Sequence, residues 1–167
     1  HRLGADGLVF GCLTAKGDID IPLMEQLMEA SQGMPVTFHR AFDVCRNPQE
    51  ALEQIIELGC SRILTSGQQS TAEQGIPLLK ELQQQAAGRI TLLAGCGVNE
   101  NNIARIAAET GIREYHFSAR ENVKSAMTHH NEAVSMGGTV HIEEYCHPVT
   151  TARRVRKTIE VLRNKGD

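Results

Sequence analysis

The chain holds 167 residues, 41% hydrophobic and 22% charged, with 17 basic against 20 acidic side chains and a formal net charge of −3. That length favours one domain with its own core. The lack of basic excess, with 4% aromatic residues and no tryptophan, speaks against phosphate-backbone tracking and base stacking, so no nucleic-acid partner is expected.

No apolar run approaches the roughly 20 residues of a bilayer span, and the N-terminus lacks the charged-then-apolar pattern of a signal peptide. No membrane partner is expected. Five scattered cysteines without CxxC spacing point to a reducing, cytoplasmic setting rather than a disulfide framework.

In chain order, β-type runs alternate with helical stretches. The runs are Gly7–Gly11 (GLVFG), Pro35–His39 (PVTFH), Arg62–Thr65 (RILT), Arg89–Ala94 (RITLLA) and Arg113–Ser118 (REYHFS). Their C-terminal ends fall near Gly11, Arg40, Gly67, Gly95 and Ser118, in steps of 29, 27, 28 and 23 residues. A helix inside each such step is the signature of repeated βα units and a parallel sheet.

The helix punctuation agrees. Asp20 caps a first helix, and Asn47-Pro48-Gln49-Glu50 sets a capping side chain, a first-turn proline and an N3 glutamate in order. Ser70-Thr71-Ala72-Glu73 repeats the capping box, and Asn99 caps a fourth start. Gly33, Gly59, Gly88 and Gly111 each follow a helical stretch as left-handed closing glycines. Residues 119–149 then read as a long polar connection. Thr151–Asn164 reads as a last amphipathic helix, with Val155, Ile159 and Leu162 on one face.

In α/β folds with parallel strands, ligands bind at the C-terminal strand ends. The second strand ends in His39-Arg40-Ala41-Phe42-Asp43. Here His39 and Asp43 are candidates for proton transfer, with Asp43 orienting the imidazole, and Arg40 for clamping an anion. The competing reading is an Arg40–Asp43 ion pair that ties the loop to the rim over a packed His39. Thr65-Ser66-Gly67 at the third strand end suits either a polar ligand or a tight turn. Gly95 and Gly97 after the fourth strand, with Ser118 and Arg120 after the fifth, are candidate phosphate or anion donors; two tight turns are the alternative.

Met127, His129, His130, Met136, His141, Cys146 and His147 carry soft or imidazole ligands suited to copper. They lack the tight spacing of a preformed site and read as a polar surface loop. Cys12 and Cys96 read as small buried residues and Cys60 as structural, while Cys45 would be reactive if His39 or Arg40 lowered its pKa.

PVTFHRAFD (Pro35–Asp43), RILTSG (Arg62–Gly67), AGCGV (Ala94–Val98) and EYHFSAR (Glu114–Arg120) together closely resemble the CutC family of copper homeostasis proteins. LGADGLVFG (Leu3–Gly11), Met127…Asn131…Met136 and Glu144-Tyr145 match in order as well. The resemblance implies an α/β (β/α)8 TIM barrel, cytoplasmic and homo-oligomeric, with copper as Cu(I) for partner and cofactor. It makes LGADGLVFG the fourth strand. The chain is then a single partial barrel domain over residues 1–167, supplying strands four to eight and a C-terminal helix. The first three βα units would be missing, and His1 would be the cut end of a longer chain. Eight βα units normally take about 250 residues, so the repeat arithmetic points the same way. The cysteines the family associates with copper lie on the opening strands, so no metal ligand is assigned in this chain. The alternative function is a barrel enzyme acting on a small anionic or phosphorylated metabolite through His39, Arg40 and Asp43.

Overall fold

The computed structural model describes residues 3–140 and 142–163, which leaves His1, His141 and Asn164 outside the described residues. The chain divides into two compact units, one running to Phe117 and the other starting at Ser118.

The first unit is built on five short strands: β1 (Leu8–Phe10), β2 (Val36–Phe38), β3 (Arg62–Thr65), β4 (Thr91–Gly95) and β5 (Glu114–His116). All neighbours pair in parallel in the order β1-β2-β3-β4-β5, which leaves β1 and β5 as the edges of an open sheet. Successive side chains alternate between faces. Val36, Phe38, Ile63, Leu92 and Ala94 form a buried row on one face. Helices α1 (Ile21–Ala30), α2 (Pro48–Glu57), α3 (Ile76–Ala86) and α4 (Ile103–Thr110) contribute Met24, Leu52, Ile55, Leu79, Leu82 and Ile106 to the same core. The other face carries Val9, Thr37, Arg62, Thr91 and Glu114, half-buried or exposed.

The punctuation holds at two starts and shifts at two. Asp20 accepts the Leu23 backbone amide, and Asn47 Oδ1 accepts that of Glu50, whose carboxylate receives a hydrogen bond from the Asn47 side-chain Nδ2 in return. At Ser70–Glu73 the expected start does not form. Thr71 accepts the Gln74 amide within a turn, and α3 begins only at Ile76, with Gly75 giving no side-chain cap. The reason is steric: the loop must first close on itself, and a Cβ on Gly75 would lie 1.8 Å from the Ser66 carbonyl. Likewise α4 starts after Asn102, because Asn99 spends its side chain on the Asn101 amide in a local turn. The four closing glycines all have positive φ, from 74° to 81°.

In the second unit the long polar connection expected over 119–149 turns out to carry paired strands at its ends. Its ends pair as an antiparallel ribbon, β6 (Arg120–Lys124) with β7 (Cys146–Thr150). Alternating apolar residues are missing from both strands, so sequence patterning gives no strand signal there. Helix α5 (Ala152–Arg163) follows, with Thr151 accepting the Arg154 amide. Its most buried residue is Thr158, whereas Ile159 is exposed, so the buried stripe is rotated from the one expected.

Candidate functional site at the strand ends

Beyond β2 the chain turns at once into a single 3-10 stretch, Arg40–Val44, capped by His39. His39 Nδ1 accepts the Ala41 amide at 3.2 Å. A neutral imidazole therefore carries its proton on Nε2. That bond corrects the expected role of Asp43: the orienting partner of His39 is a backbone amide.

Asp43 serves as a hub instead. Its side chain is only 6% exposed. Oδ1 accepts from Thr65 Oγ1 at 2.6 Å and from the Ser66 and Gln68 amides at 3.0 and 3.2 Å. Oδ2 accepts from Arg40 Nε at 2.6 Å and Ser66 Oγ at 3.1 Å. The Thr65-Ser66-Gly67 end thus donates to a neighbouring carboxylate. Both carboxylate oxygens are thus occupied by donors, as those of a buried charge must be.

Arg40 is oriented by this hub. Nε is held by Asp43 and Nη2 donates to Ser66 Oγ at 3.0 Å, while 43% of the side chain stays exposed. Its hydrogen bond to Asp43 raises its already high pKa, so the charge is permanent. The Cys96 thiol lies against the same guanidinium and also donates to the Ser70 carbonyl at 3.1 Å. Cys96 is half-buried at φ 77°, a left-handed position that disfavours side chains. Sequence reasoning missed this Arg40–Cys96 neighbourhood, because the two residues lie on strands separated by β3.

Gly95 and Gly97 stand where expected, at the end of β4. A Cβ on Gly95 would meet the tip of the Leu64 side chain, Cδ1, at 2.6 Å, while Gly97 sits at φ 73°, a left-handed backbone that favours glycine whatever the space around it. Ser118 and Arg120 belong to the second unit. The Ser118 carbonyl accepts Thr150 Oγ1 there, and Arg120 opens β6 opposite Thr150.

Among the described residues no three His, Cys, Asp or Glu side chains come together to hold a metal. His130 stacks on Tyr145 at 3.8 Å, Tyr145 accepts the Asn131 amide, and Met127 and Met136 are exposed. Cys146 and His147 are consecutive on β7 and point to opposite faces. Cys45 is buried, and burial pushes its thiol pKa up, which corrects the idea of a reactive group.

A recess of about 210 Å³ lined by Gly67, Gln68, Gln74 and Gly75 adjoins the hub through Gln68. A larger cleft of about 440 Å³, lined by Ile90, Thr91, Arg113 and Glu114, lies at the opposite, N-terminal ends of β4 and β5. Barrel folds devote that end to stability, so the strand mouth is the better candidate.

The CutC family profile matches residues 1–121. A CutC family protein of Bacteroides thetaiotaomicron is 72% identical over 164 residues, covering 98% of this chain and 66% of the relative. One from Bacteroides fragilis is 74% identical over 162 residues, covering 97% of this chain and 64% of the relative. The chain therefore spans just under two thirds of the length of these curated relatives. Among solved structures, a Streptococcus agalactiae protein named for copper homeostasis and CutC superposes with a TM-score of 0.66. It is 37% identical and covers 69% of this chain and 57% of its own. A structure named for KDPGal matches at TM-score 0.56 and 14% identity over 98% of this chain and 61% of that one, which bears on the fold alone.

Proposed function

The chain belongs to the CutC family, whose fold is the TIM-type barrel, and from that premise we propose that it serves copper homeostasis through a strand-mouth site for a small anionic metabolite. One observation carries the anion site: a permanently charged guanidinium at the C-terminal end of β2, fixed through Nε and Nη2 yet 43% exposed. A guanidinium oriented in advance binds carboxylate or phosphate with little further loss of side-chain freedom. His39 Nε2–H, at the same strand end, supplies a second donor.

Copper homeostasis comes from the names of the relatives. The protein would act in the cytoplasm as a homo-oligomer that handles Cu(I), and its five free cysteines suit a reducing compartment. The Met127–His147 connection offers no three-ligand centre among its described residues and has no part in this reading.

Titration with inorganic phosphate and with small carboxylates, followed by calorimetry, tests the anion site. Binding should be lost in Arg40→Ala and kept in Arg105→Ala, whose guanidinium is paired with Glu109 and Glu73 on the helical surface; equal binding by wild type and Arg40→Ala would refute it. Loss of copper tolerance in cells lacking the gene tests the wider role.

The Nε2–H tautomer of His39 favours a second reading, an enzyme in which the imidazole moves a proton at the bound anion. His39→Gln should then bind the anion as wild type does and abolish its conversion, and full turnover by that variant would exclude the role.

A further inference from the structure

The strand mouth has a second wall, which neither Arg40 nor His39 supplies. His116 ends β5 and is exposed, and among the described residues nothing hydrogen-bonds to its ring. Alternation along the strands sets it on the open face of the sheet. Val36, Phe38 and Ala94 point into the core, so the side-chain positions of His39 and Gly95 face the other way, and Gly95 is the register partner of His116. Each imidazole stands beside a bare glycine. A Cβ on Gly95 would lie 3.7 Å from His116 Nδ1, and one on Gly11, just beyond β1, would lie 3.0 Å from His39 Nδ1. Leu64, half-buried on β3, reaches toward Gly95 on the same face and gives the trough between the two rings an apolar floor. The Arg40 head reaches this trough as well, since it lies against Cys96, the residue after Gly95.

We propose that the mouth takes a short hydroxy acid, its carboxylate on Arg40, its hydroxyl on His116 and its carbon chain over Leu64 and Gly95. The guanidinium is committed along one edge only: Nε donates to Asp43 and one Nη2 hydrogen to Ser66. That leaves Nη1 and the second Nη2 hydrogen, with only the weakly accepting Cys96 thiol nearby, to fork a carboxylate. Asp43 stands 2.6 Å from Nε, so the cation is already balanced by a buried anion, and a singly charged ligand is favoured over a doubly charged one. An imidazole in its neutral form both donates and accepts, which matches a hydroxyl and only half matches a second carboxylate. From the end of β4, where Arg40 reaches, to His116 on β5 is one strand spacing, about 4.8 Å. A hydroxyl a few bonds from a carboxylate spans a gap of that scale.

The inference rests on the anion-site reading, and the experiment separates the two. Butyrate and its three monohydroxy derivatives, equal in charge and chain length, are titrated into the full chain by calorimetry. In wild type the best-placed hydroxyl should tighten binding about tenfold over butyrate, the worth of one hydrogen bond. That ratio should fall to about one in His116→Leu and stay about tenfold in Arg105→Ala, while Arg40→Ala loses all four acids. Because the ratio compares ligands within one variant, a general loss of structure does not imitate its collapse. Hydroxy acids that bind wild type no tighter than butyrate, or a preference that survives His116→Leu, would overturn the inference and leave the anion site standing. Butyrate that fails to bind wild type, or that binds Arg40→Ala equally well, would overturn the anion-site reading instead.

Discussion

Two ends of the same parallel sheet use the same ion-pair chemistry to opposite effect. At the C-terminal end, Asp43 is 6% exposed and collects donors from the Arg40 turn and the β3 loop. At the N-terminal end, Arg62 on β3 reaches Glu114 on β5 at 2.7 Å, and Arg89 grips Glu53 with two bonds of 2.6 and 2.8 Å. Those side chains are each 39–45% exposed. The first arrangement is a buried framework that fixes the orientation of a guanidinium; the second is solvated and carries little energy. A short ion-pair distance says nothing about importance until burial and donor count are set beside it.

The largest effect should therefore come from Asp43→Ala, which orphans the fully buried Thr65 hydroxyl and Ser66 amide and frees Arg40. We expect a loss of about 3–5 kcal/mol in denaturant unfolding. A loss below about 1 kcal/mol would erase the difference between the two ends. Next comes Gly95→Ala, whose added methyl must displace Leu64 Cδ1 from 2.6 Å. The clashing atom is the end of a flexible side chain, so the cost should sit at the low end of overpacking, about 1 kcal/mol, and Leu64→Ala in the same background should recover part of it. Arg62→Met, at the solvated end, should change stability by no more than about 1 kcal/mol, and the change should shrink further in 1 M salt.

The βα repetition was legible because each unit writes its own punctuation: a cap at Asp20 or Asn47, a closing glycine at Gly59 or Gly111. What escaped was set by contacts distant in sequence. The late start of α3 depends on Gly75 meeting Ser66, nine residues earlier. The β6–β7 ribbon joins segments more than twenty residues apart with no apolar alternation to announce it. At the site, the residue types at the β2 end were readable. Their roles were not, because Asp43 answers to Thr65 and Ser66 on the next strand rather than to His39 beside it. Arg40 and Asp43 proved to be an ion pair, as one of the two sequence readings had it.

The smallest effect concerns Glu53. Its two bonds to Arg89, with a further one from Gln85, hold its carboxyl down at about 2 from an ordinary 4.5. A carboxyl whose folded pKa lies below its unfolded value stabilises the fold above the unfolded value and loses that contribution as pH falls through the folded one. The window is thus between about 4.5 and 2. The Glu53 side chain is 39% exposed and screened by solvent, so the contribution is small, and a direct titration reads it better than unfolding does. The Glu53 side-chain carbon shift, followed by NMR through that range, should titrate near 2 in wild type and return toward 4.5 in Arg89→Met. A Glu53 midpoint near 4.5 in wild type would mean that the fork is not populated in solution. The solvated end of the sheet would then contribute even less than its geometry allows, and the contrast with Asp43 would widen.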